Sequence, residues 1–383
     1  MKKLCRWLET LKLKYLVLFL LALTVVVHLA ALQLLHIHPT IAFAEMEKIA
    51  RSLAENGTFA NPYKIPTGPT AHHAPIYPLL LSFIFRAFGY GPTAAYAMAV
   101  MNIFFAALHY SLLPVLTDAA GIPRVVGVGA GLYGALVPYR INREIRWETT
   151  LSALILVVLI LITTRWWRTQ RPSQFHTFCI GLAWGAGMLS CPILLLVFLL
   201  ILMFFAVSAW KRQLPEWQLT VAVAALGMVI AVAPWTIRNY RALGGLAFVR
   251  SNFGIELDLS NNSEAYPTVV DNITIGYPNN YYHRNHPWAN QESAEQVRQL
   301  GELGFNRQRL RRSVDWIRGH PQAFAKLCAQ RTVMFWFTAP KTQRLKAILL
   351  VPWTLVAAWG LWVMLHRHRD LGLLLLATWI AYP

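Results

Sequence analysis

Charged residues are scarce in this sequence, and their scarcity excludes an ordinary soluble protein. Asp, Glu, Lys and Arg make up 14% of the 383 residues, whereas hydrophobic residues make up 56%, with 15 Trp and 19 Phe. Soluble domains typically carry about 25% charged residues and a smaller apolar share. The composition therefore indicates a polytopic membrane protein.

Cysteine is also sparse, and its positions indicate neither a metal motif nor a disulfide framework. The four cysteines are scattered: Cys5, Cys179, Cys191 and Cys328. Zinc motifs need closely spaced pairs, and disulfide scaffolds need many cysteines in a short chain.

The formal net charge of +18 does not indicate a nucleic-acid partner. Basic residues of membrane proteins collect on cytosolic loops and beside anionic lipids. No stretch combines aromatic and basic residues in the pattern of RNA-binding modules. We therefore expect a lipid bilayer as the partner and no nucleic acid.

Long apolar runs predict the membrane spans. The first, residues 15–35, is about 20 residues long, enough to cross a hydrocarbon core of ~30 Å. Lys and Arg residues before it predict a cytoplasmic N-terminus, and its length favours a retained anchor over a cleaved signal peptide. Further spans are predicted at residues 94–116, 125–139, 151–164, 175–189, 192–209, 219–235, 347–365 and 371–383.

Two segments are apolar but short, and one long segment is too polar for lipid. Residues 75–88 and 324–337 are predicted to be interfacial helices. Residues 236–321 are predicted to lie outside the membrane, with a charged helix over 293–318. Because the last span is short, we expect the sequence to be a fragment of a longer protein.

The loop after the first span concentrates carboxylates, histidines and prolines. It contains Glu45, Glu47, His72 and His73. Acids in a loop at a membrane rim are candidates for chemistry. The alternative for the two glutamates is a solvated helix face with basic residues at pairing distance, and we favour it for Glu47.

Strings of residues in this loop and beyond it resemble a known family. The strings are Glu45-x-x-x-Ile49-Ala50-Arg51-Ser52-Leu53, Gly57-x-Phe59, Asn61-Pro62, Gly68-Pro69-Thr70-Ala71, Pro75-x-Tyr77-Pro78, Trp147-Glu148-Thr149-x-Leu151-Ser152-Ala153-Leu154, Ala233-Pro234-Trp235-Thr236-Ile237-Arg238-Asn239-Tyr240, Ser251-Asn252-Phe253-Gly254-x-Glu256-Leu257, His286-Pro287, Gly301-Glu302, His320-Pro321 and Arg331 before Phe335-Trp336-Phe337. Together they resemble C-type membrane glycosyltransferases, in the bacterial branch similar to protein O-mannosyltransferases.

The resemblance implies a fold and an activity. It implies an all-α glycosyltransferase-C-like helical bundle with interfacial helices in the first outer loop and a polar extracytoplasmic segment. It also implies transfer of a sugar, with inversion, from a polyprenyl- or dolichyl-phosphate donor at the outer face. Family members typically carry more spans after the point where this sequence stops. The expected regions are a transmembrane catalytic module (1–236), an extracytoplasmic loop or domain (237–322) and a C-terminal membrane segment (323–383).

Sugar transfer needs a base for the incoming hydroxyl, and two acids are the candidates. The resemblance places Glu45 at the first-loop acid, as base or metal-assisting carboxylate, and we expect burial to raise its pKa toward neutrality. Glu148 begins a span, so the two acids can converge from separate loops. Related enzymes often carry Asp at this position. The alternative for Glu148 is a carboxylate at the start of a helix, where the helix dipole favours a negative charge.

Cations and amides are the candidates for substrate binding. Arg143 and Arg146 lie in a loop predicted to be outside, so either they face a lipid phosphate or the predicted topology is wrong there. Arg238 and Asn239 are candidates for phosphate or sugar contact, with an interfacial snorkelling cluster as the alternative. Asn252 and Glu256 suit sugar hydroxyls, although such loops also form ordinary turns.

The histidines do not predict a metal site by themselves. His72 and His73 are adjacent, so on a helix they would point apart; we expect one, His73, to line the pocket. His286 and His320 precede prolines and are expected to shape turns. Mg²⁺ or Mn²⁺ is compatible with the resemblance, but no ligand set in the sequence demands a metal, so its identity stays unknown.

The leading hypothesis is thus a multi-pass enzyme of the inner membrane with an extracytoplasmic active site. It would use a polyprenyl-phosphate sugar donor and a glycan, lipid or protein acceptor. A lipid-linked sugar flippase or transporter is the first alternative, disfavoured because the spans hold few charges. A non-catalytic membrane subunit is the second.

Overall fold

A computed structural model describes residues 9–137, 148–169, 173–337 and 344–381, with side chains omitted at 344–350. Within these residues the chain is helical and has no β-strand, only an isolated bridge between Ala60 and Pro69. The helices are α1 Leu13–Leu34, α2 Glu45–Asn56, α3 Ile76–Phe88, α4 Pro92–Ala119, α5 Arg124–Leu136, α6 Thr149–Arg168, α7 Gln174–Met188, α8 Leu194–Lys211, α9 Trp217–Leu243, α10 Phe253–Ser260, α11 Val269–Thr274, α12 Tyr281–Asn285, α13 Gln291–Leu300, α14 Glu302–Gly319, α15 Pro321–Phe337, α16 Arg344–Arg367 and α17 Arg369–Ala381.

Five of the described helices are long and apolar enough to cross a membrane: α1, α4, α6, α8 and α9. Large apolar side chains on them point outward, among them Leu18 and Val26 of α1 and Leu199 of α8. Such faces are unfavourable in water but match lipid. The prediction of an all-α membrane protein is confirmed at this level.

The observed helices follow the predicted segments closely, but two predicted spans are short for a bilayer and one predicted helix is broken. The helices α5 and α7 have 13 and 15 residues, shorter than the roughly 20 that a bilayer requires. The predicted charged helix over 293–318 is broken into α13 and α14. The break lies at Gly301, whose φ of 70° is in the left-handed region that favours glycine.

The first of two compact units comprises Met1–Ala42, Pro75–Val232 and His368–Ala377. Neutral hydrogen bonds join its helices. The Asn102 amide of α4 donates to the Tyr77 hydroxyl of α3 at 2.9 Å and accepts from the Thr150 hydroxyl of α6 at 2.5 Å. Such bonds satisfy polar groups that have no access to water.

The second unit comprises Phe43–Ala74, Ala233–Arg367 and Thr378–Pro383. It therefore combines the first loop with segments about 200 residues later in the sequence. Its hydrophobic core contains Tyr63, Ile255, Leu259, Ala294, Val297 and Phe305. The close packing of α10 on α14 requires Gly254, where an added Cβ would lie 2.0 Å from the Asn306 carbonyl oxygen.

Candidate active site

The first loop begins with α2, whose start is stabilised by its own side chains. Glu47 accepts a hydrogen bond from the Ala44 backbone N–H at 2.9 Å, which caps the helix. The solvated helix face that we favoured for Glu47 is therefore wrong, because this side chain is buried at 1% exposure and caps the helix. Glu45 is the first residue of the helix, and the helix ends at Gly57, whose φ is 66°.

The segment after α2 is held by internal hydrogen bonds. Asn61 Oδ1 accepts from the backbone N–H groups of Thr67 and Gly68 at 3.1 and 2.9 Å. Glu302 accepts from the Ala71 N–H at 2.8 Å and from the Thr70 hydroxyl at 2.5 Å. These contacts fix the backbone immediately before His72 and His73, which lie in a loop and not on a helix.

Three imidazoles surround the carboxylate of Glu45. Its Oε1 lies 3.1 Å from His72 Nε2 and 3.3 Å from His286 Nε2, and its Oε2 lies 3.6 Å from His73 Nε2. All four residues are buried, Glu45 at 9% exposure and the histidines at 5% or less. We call these four residues the Glu45 cluster.

Two imidazoles of the Glu45 cluster, those of His72 and His286, also contact neighbouring groups through their Nδ1 atoms. The Tyr63 hydroxyl lies 3.0 Å from His72 Nδ1. His286 Nδ1 accepts the backbone N–H of Trp288 at 3.1 Å. Because that nitrogen accepts, the neutral His286 ring carries its proton on Nε2, which faces Glu45.

Burial and charge set the protonation of the cluster. Burial favours the neutral form of Glu45, but the neighbouring His72 and His286 outweigh it and hold the pKa of Glu45 well below its usual range. Burial disfavours the charged form of His72, but the negative charge of Glu45 outweighs burial and raises the pKa of His72. The expectation that burial raises the pKa of Glu45 is therefore wrong, because an imidazole lies beside the carboxylate.

Burial favours the neutral form of the other two histidines of the cluster, His73 and His286. Burial, with the charge of Arg250 as the second cause, lowers the pKa of His73 to about 3. Burial also lowers the pKa of His286, and outweighs the opposing effect of Glu45. The shifts thus favour charge on Glu45 and His72 and the neutral form of His73 and His286.

The carboxylate of Glu256 also affects the pKa values of residues in and beside the Glu45 cluster. Burial raises the pKa of Tyr63, and the charges of Glu302, Glu45 and Glu256 add to the effect. Glu256 also acts on the pKa of both His72 and His286. Its side chain is exposed, and one oxygen accepts from the Asn252 amide at 2.9 Å. Glu256 therefore lies within electrostatic reach of the cluster, and the binding of sugar hydroxyls by Asn252 and Glu256 stays a prediction.

Three cluster residues have the donor types of a metal site. One ligand atom each from Glu45, His72 and His286 lies within 4.8 Å of the others. Two imidazoles and a carboxylate suit zinc and its neighbours in the periodic table, whereas Mg²⁺ prefers all-oxygen sites. The donor set therefore favours a zinc-like ion over the Mg²⁺ that the resemblance allows.

One hydrogen bond opposes coordination by His286. Binding through Nε2 moves the ring proton to Nδ1 and removes the bond from the Trp288 N–H. A typical hydrogen bond contributes about 0.5–1.5 kcal/mol. Structural zinc ions bind with roughly 10–16 kcal/mol. The loss of this bond is too small to exclude a metal.

Arg238 and Asn239, predicted to bind substrate, make contacts within the protein. The Arg238 guanidinium donates to the carbonyl oxygens of Thr70 at 2.6 Å and Phe59 at 2.8 Å. It also lies over the rings of Phe59 and Trp235. The fully buried Asn239 amide donates to the Ala247 carbonyl at 3.1 Å. These contacts support a structural role, and a role in substrate binding stays a prediction.

The remaining predicted residues lie elsewhere. Glu148 belongs to the first unit, at the residue that precedes α6, which agrees with the alternative of a helix-start carboxylate. Its convergence with Glu45 stays a prediction. Arg143 and Arg146 lie outside the described residues, so the question of their loop's topology stays open.

Sequence reasoning missed three functional candidates. His286 was expected to shape a turn; it does follow α12, and it also contacts Glu45. Tyr63 and Arg250 were not singled out, although Arg250 Nε donates to the His72 carbonyl at 2.9 Å. The only signal for His286 was its place in a His-Pro string of the resemblance, which does not reveal a partner some 240 residues earlier.

The chain matches no protein-family model, no curated protein and no solved structure. Its function is therefore inferred from the geometry described above together with the resemblance of its motifs.

Proposed function

We propose that this protein is an inverting membrane glycosyltransferase. It moves a sugar from a polyprenyl-phosphate donor to a glycan, lipid or protein acceptor at the outer face of the inner membrane. The observation that carries the proposal is the buried, ionised Glu45 held among three histidines. This acid is the one that the resemblance places at the catalytic first-loop position.

The reaction exchanges one bond at the anomeric carbon for another. The acceptor hydroxyl attacks that carbon, the bond to the phosphate oxygen breaks, and the polyprenyl phosphate leaves with the bonding electrons. Positive charge develops on the sugar ring in such transition states. An ionised carboxylate stabilises this charge and receives the hydroxyl proton, so the low pKa of Glu45 suits a role that is largely electrostatic.

The leaving phosphate needs a cation, and Arg250 is the best-placed candidate. Its charge acts on the pKa of both His72 and His73, so it lies beside the cluster. None of the ion pairs between described residues includes Arg250. A guanidinium without a carboxylate partner is well suited to a phosphate ester.

The helices and the motifs support the same proposal. Five candidate spans supply the membrane location that a polyprenyl carrier needs. The glycosyltransferase-C fold and the extracytoplasmic orientation rest on the resemblance and on the basic residues before α1. Exposed Glu256 and buried Asn252 supply the carboxylate and amide groups that bind sugar hydroxyls.

The proposal is tested in proteoliposomes with a panel of labelled polyprenyl-phosphate sugars. We expect transfer by the wild-type protein and a loss of about 10²–10⁴-fold in Glu45→Gln, the range for a positioned acid or base. Glu55→Gln is the matched control, since Glu55 lies on the same helix and pairs with the exposed Arg51. Equal transfer by both variants would remove Glu45 from the mechanism.

The same vesicles distinguish the alternatives. A flippase would move the intact lipid-linked sugar to the other leaflet without consuming it. A non-catalytic subunit would show neither movement nor transfer.

A further inference from the structure

We infer that Glu45, His72 and His286 bind a divalent transition-metal ion, with zinc as the best-fitting ion. The donors are one carboxylate and two imidazoles, the combination found in many three-ligand zinc sites. All three side chains are buried in the same unit, where water cannot easily compete for the ligands.

The two separations from Glu45 Oε1 are close to those around a tetrahedral ion, and all three donor atoms lie within 4.8 Å of one another. Bonds of 2.0–2.1 Å to a tetrahedral zinc ion place neighbouring ligand atoms roughly 3.3–3.4 Å apart. Glu45 Oε1 lies 3.1 Å from His72 Nε2 and 3.3 Å from His286 Nε2. Both separations agree with that geometry to within a few tenths of an ångström.

The contacts between Glu45 Oε1 and the imidazoles are close, but they are not well-formed hydrogen bonds. Glu45 Oε1 is buried and has no hydrogen-bond partner of acceptable geometry, although two imidazole nitrogens lie close to it. A buried acceptor left in this way is costly. An ion between the three atoms satisfies all of them at once.

The surroundings orient one ligand, His72, which must lose its Nε2 proton when the ion binds, and the other ligand, His286, loses one hydrogen bond. The Tyr63 hydroxyl lies 3.0 Å from His72 Nδ1 and orients the ring, as groups behind metal-bound histidines commonly do. His286 gives up the Trp288 hydrogen bond considered above.

Three protein ligands leave a fourth position open, as in catalytic zinc sites. A substrate oxygen, such as one of the donor phosphate, suits that position; this role rests on the proposed function, whereas the binding of the ion does not. His73 lies on the other carboxylate oxygen, at 3.6 Å, and is not one of the three ligands.

The test measures metal content, not sugar transfer. The full-length protein, purified in detergent with a histidine-free tag, is washed with a chelator, loaded with Zn²⁺ and desalted. We expect about one zinc ion per chain by mass spectrometry, and less than a tenth of that in His72→Ala and His286→Ala. The control His320→Ala should keep one ion, because His320 is exposed and stacks on Trp316.

A second measurement guards against variants that fail to fold. X-ray absorption on the zinc-loaded wild-type protein should show two imidazoles and a carboxylate in the first coordination sphere. A wild-type protein without zinc, or His72→Ala and His286→Ala variants that retain it, would overturn the inference. Zinc bound at this site without any sugar transfer would leave the inference intact and contradict the proposed function instead.

Discussion

The two units of this protein satisfy their buried polar groups in different ways. In the first unit the partners are neutral: Asn102 bonds with Tyr77 and Thr150, and the Trp184 indole donates to the Thr163 hydroxyl at 2.9 Å. In the second unit several of the buried polar groups are ionisable, among them Glu45, His72, Asp258, Glu302 and Arg309. Both units are helical, so secondary structure does not distinguish them.

The difference indicates where chemistry is possible. Neutral hydrogen bonds between helices stabilise packing but supply neither a proton acceptor nor a charge. Buried ionisable groups are unfavourable unless they are paired, so their presence points to a role beyond packing. Some of these buried ionisable groups have a structural role, as the ion pair between Arg309 and Asp258 at 3.2 Å shows. Substitutions can separate the structural groups from the functional ones.

The largest effect on stability is expected for Glu302→Gln in the second unit. The carboxylate accepts from the Ala71 N–H, the Thr70 hydroxyl and the Ser251 hydroxyl. The Gln amide would place its own N–H donors against some of these N–H and O–H groups, and those hydrogen bonds would be lost. Hydrogen bonds to charged groups contribute about 1.5–3 kcal/mol each. We expect a loss of about 2–4 kcal/mol, seen as a lower melting temperature in detergent.

Glu295→Gln is the control for this variant, because Glu295 is half-exposed and accepts a hydrogen bond from the Gln291 side-chain amide. If Glu302→Gln and Glu295→Gln melt at the same temperature, Glu302 is not the anchor of the first loop.

A glycine in each unit tests whether apolar packing differs between them. An added Cβ would lie 2.0 Å from a carbonyl oxygen both at Gly254 in the second unit and at Gly181 in the first. We expect Gly254→Ala and Gly181→Ala each to lower stability by about 2–3 kcal/mol through overpacking. Gly304→Ala, whose Cβ would only meet Leu300 at 3.4 Å, should leave the melting temperature unchanged or slightly raised. A large difference between the first two variants would show that packing, and not only charge, distinguishes the units.

Asn102→Ala tests the neutral network of the first unit. The substitution removes the bonds to Tyr77 and Thr150, and buried polar groups left with poorer partners cost about 1–3 kcal/mol. We expect a loss of about 1–2 kcal/mol by thermal unfolding and little change for Val100→Ala, on the exposed face of the same helix. A loss as large as that of Glu302→Gln would weaken the contrast between neutral and charged burial.

The smallest effect is expected for Glu55→Gln. Glu55 pairs with Arg51 at 2.8 Å across one helical turn, and both side chains are largely exposed. Such pairs contribute about 0.2–0.5 kcal/mol. A change in melting temperature comparable to that of the buried variants would show that exposed charges matter as much as buried ones in this unit.

Much of the helical architecture was predictable from the sequence, and the site only in part. The apolar run at residues 15–35 predicts α1 almost to the residue, because its length and apolarity are local properties. The motifs singled out Glu45, Asn252 and Glu256 as candidates, and their roles stay predictions. His286 could not be paired with Glu45, because nothing in the local sequence reports a contact between segments so far apart.

The same reason explains the corrected pKa of Glu45. Burial alone predicts a higher pKa, and only the positions of His72 and His286 reveal that charge outweighs burial. Likewise only the structure shows that Arg238 donates hydrogen bonds to the carbonyl oxygens of Thr70 and Phe59.

The sequence by itself determined the helical, membrane-spanning class of this protein, because chain length and apolar content decide what can cross a bilayer. The tertiary structure decided which ionisable groups meet around Glu45 and what charge each one carries. The physical reason is that hydrophobicity acts residue by residue, whereas a pKa and a coordination geometry depend on distances between atoms that only folding brings together.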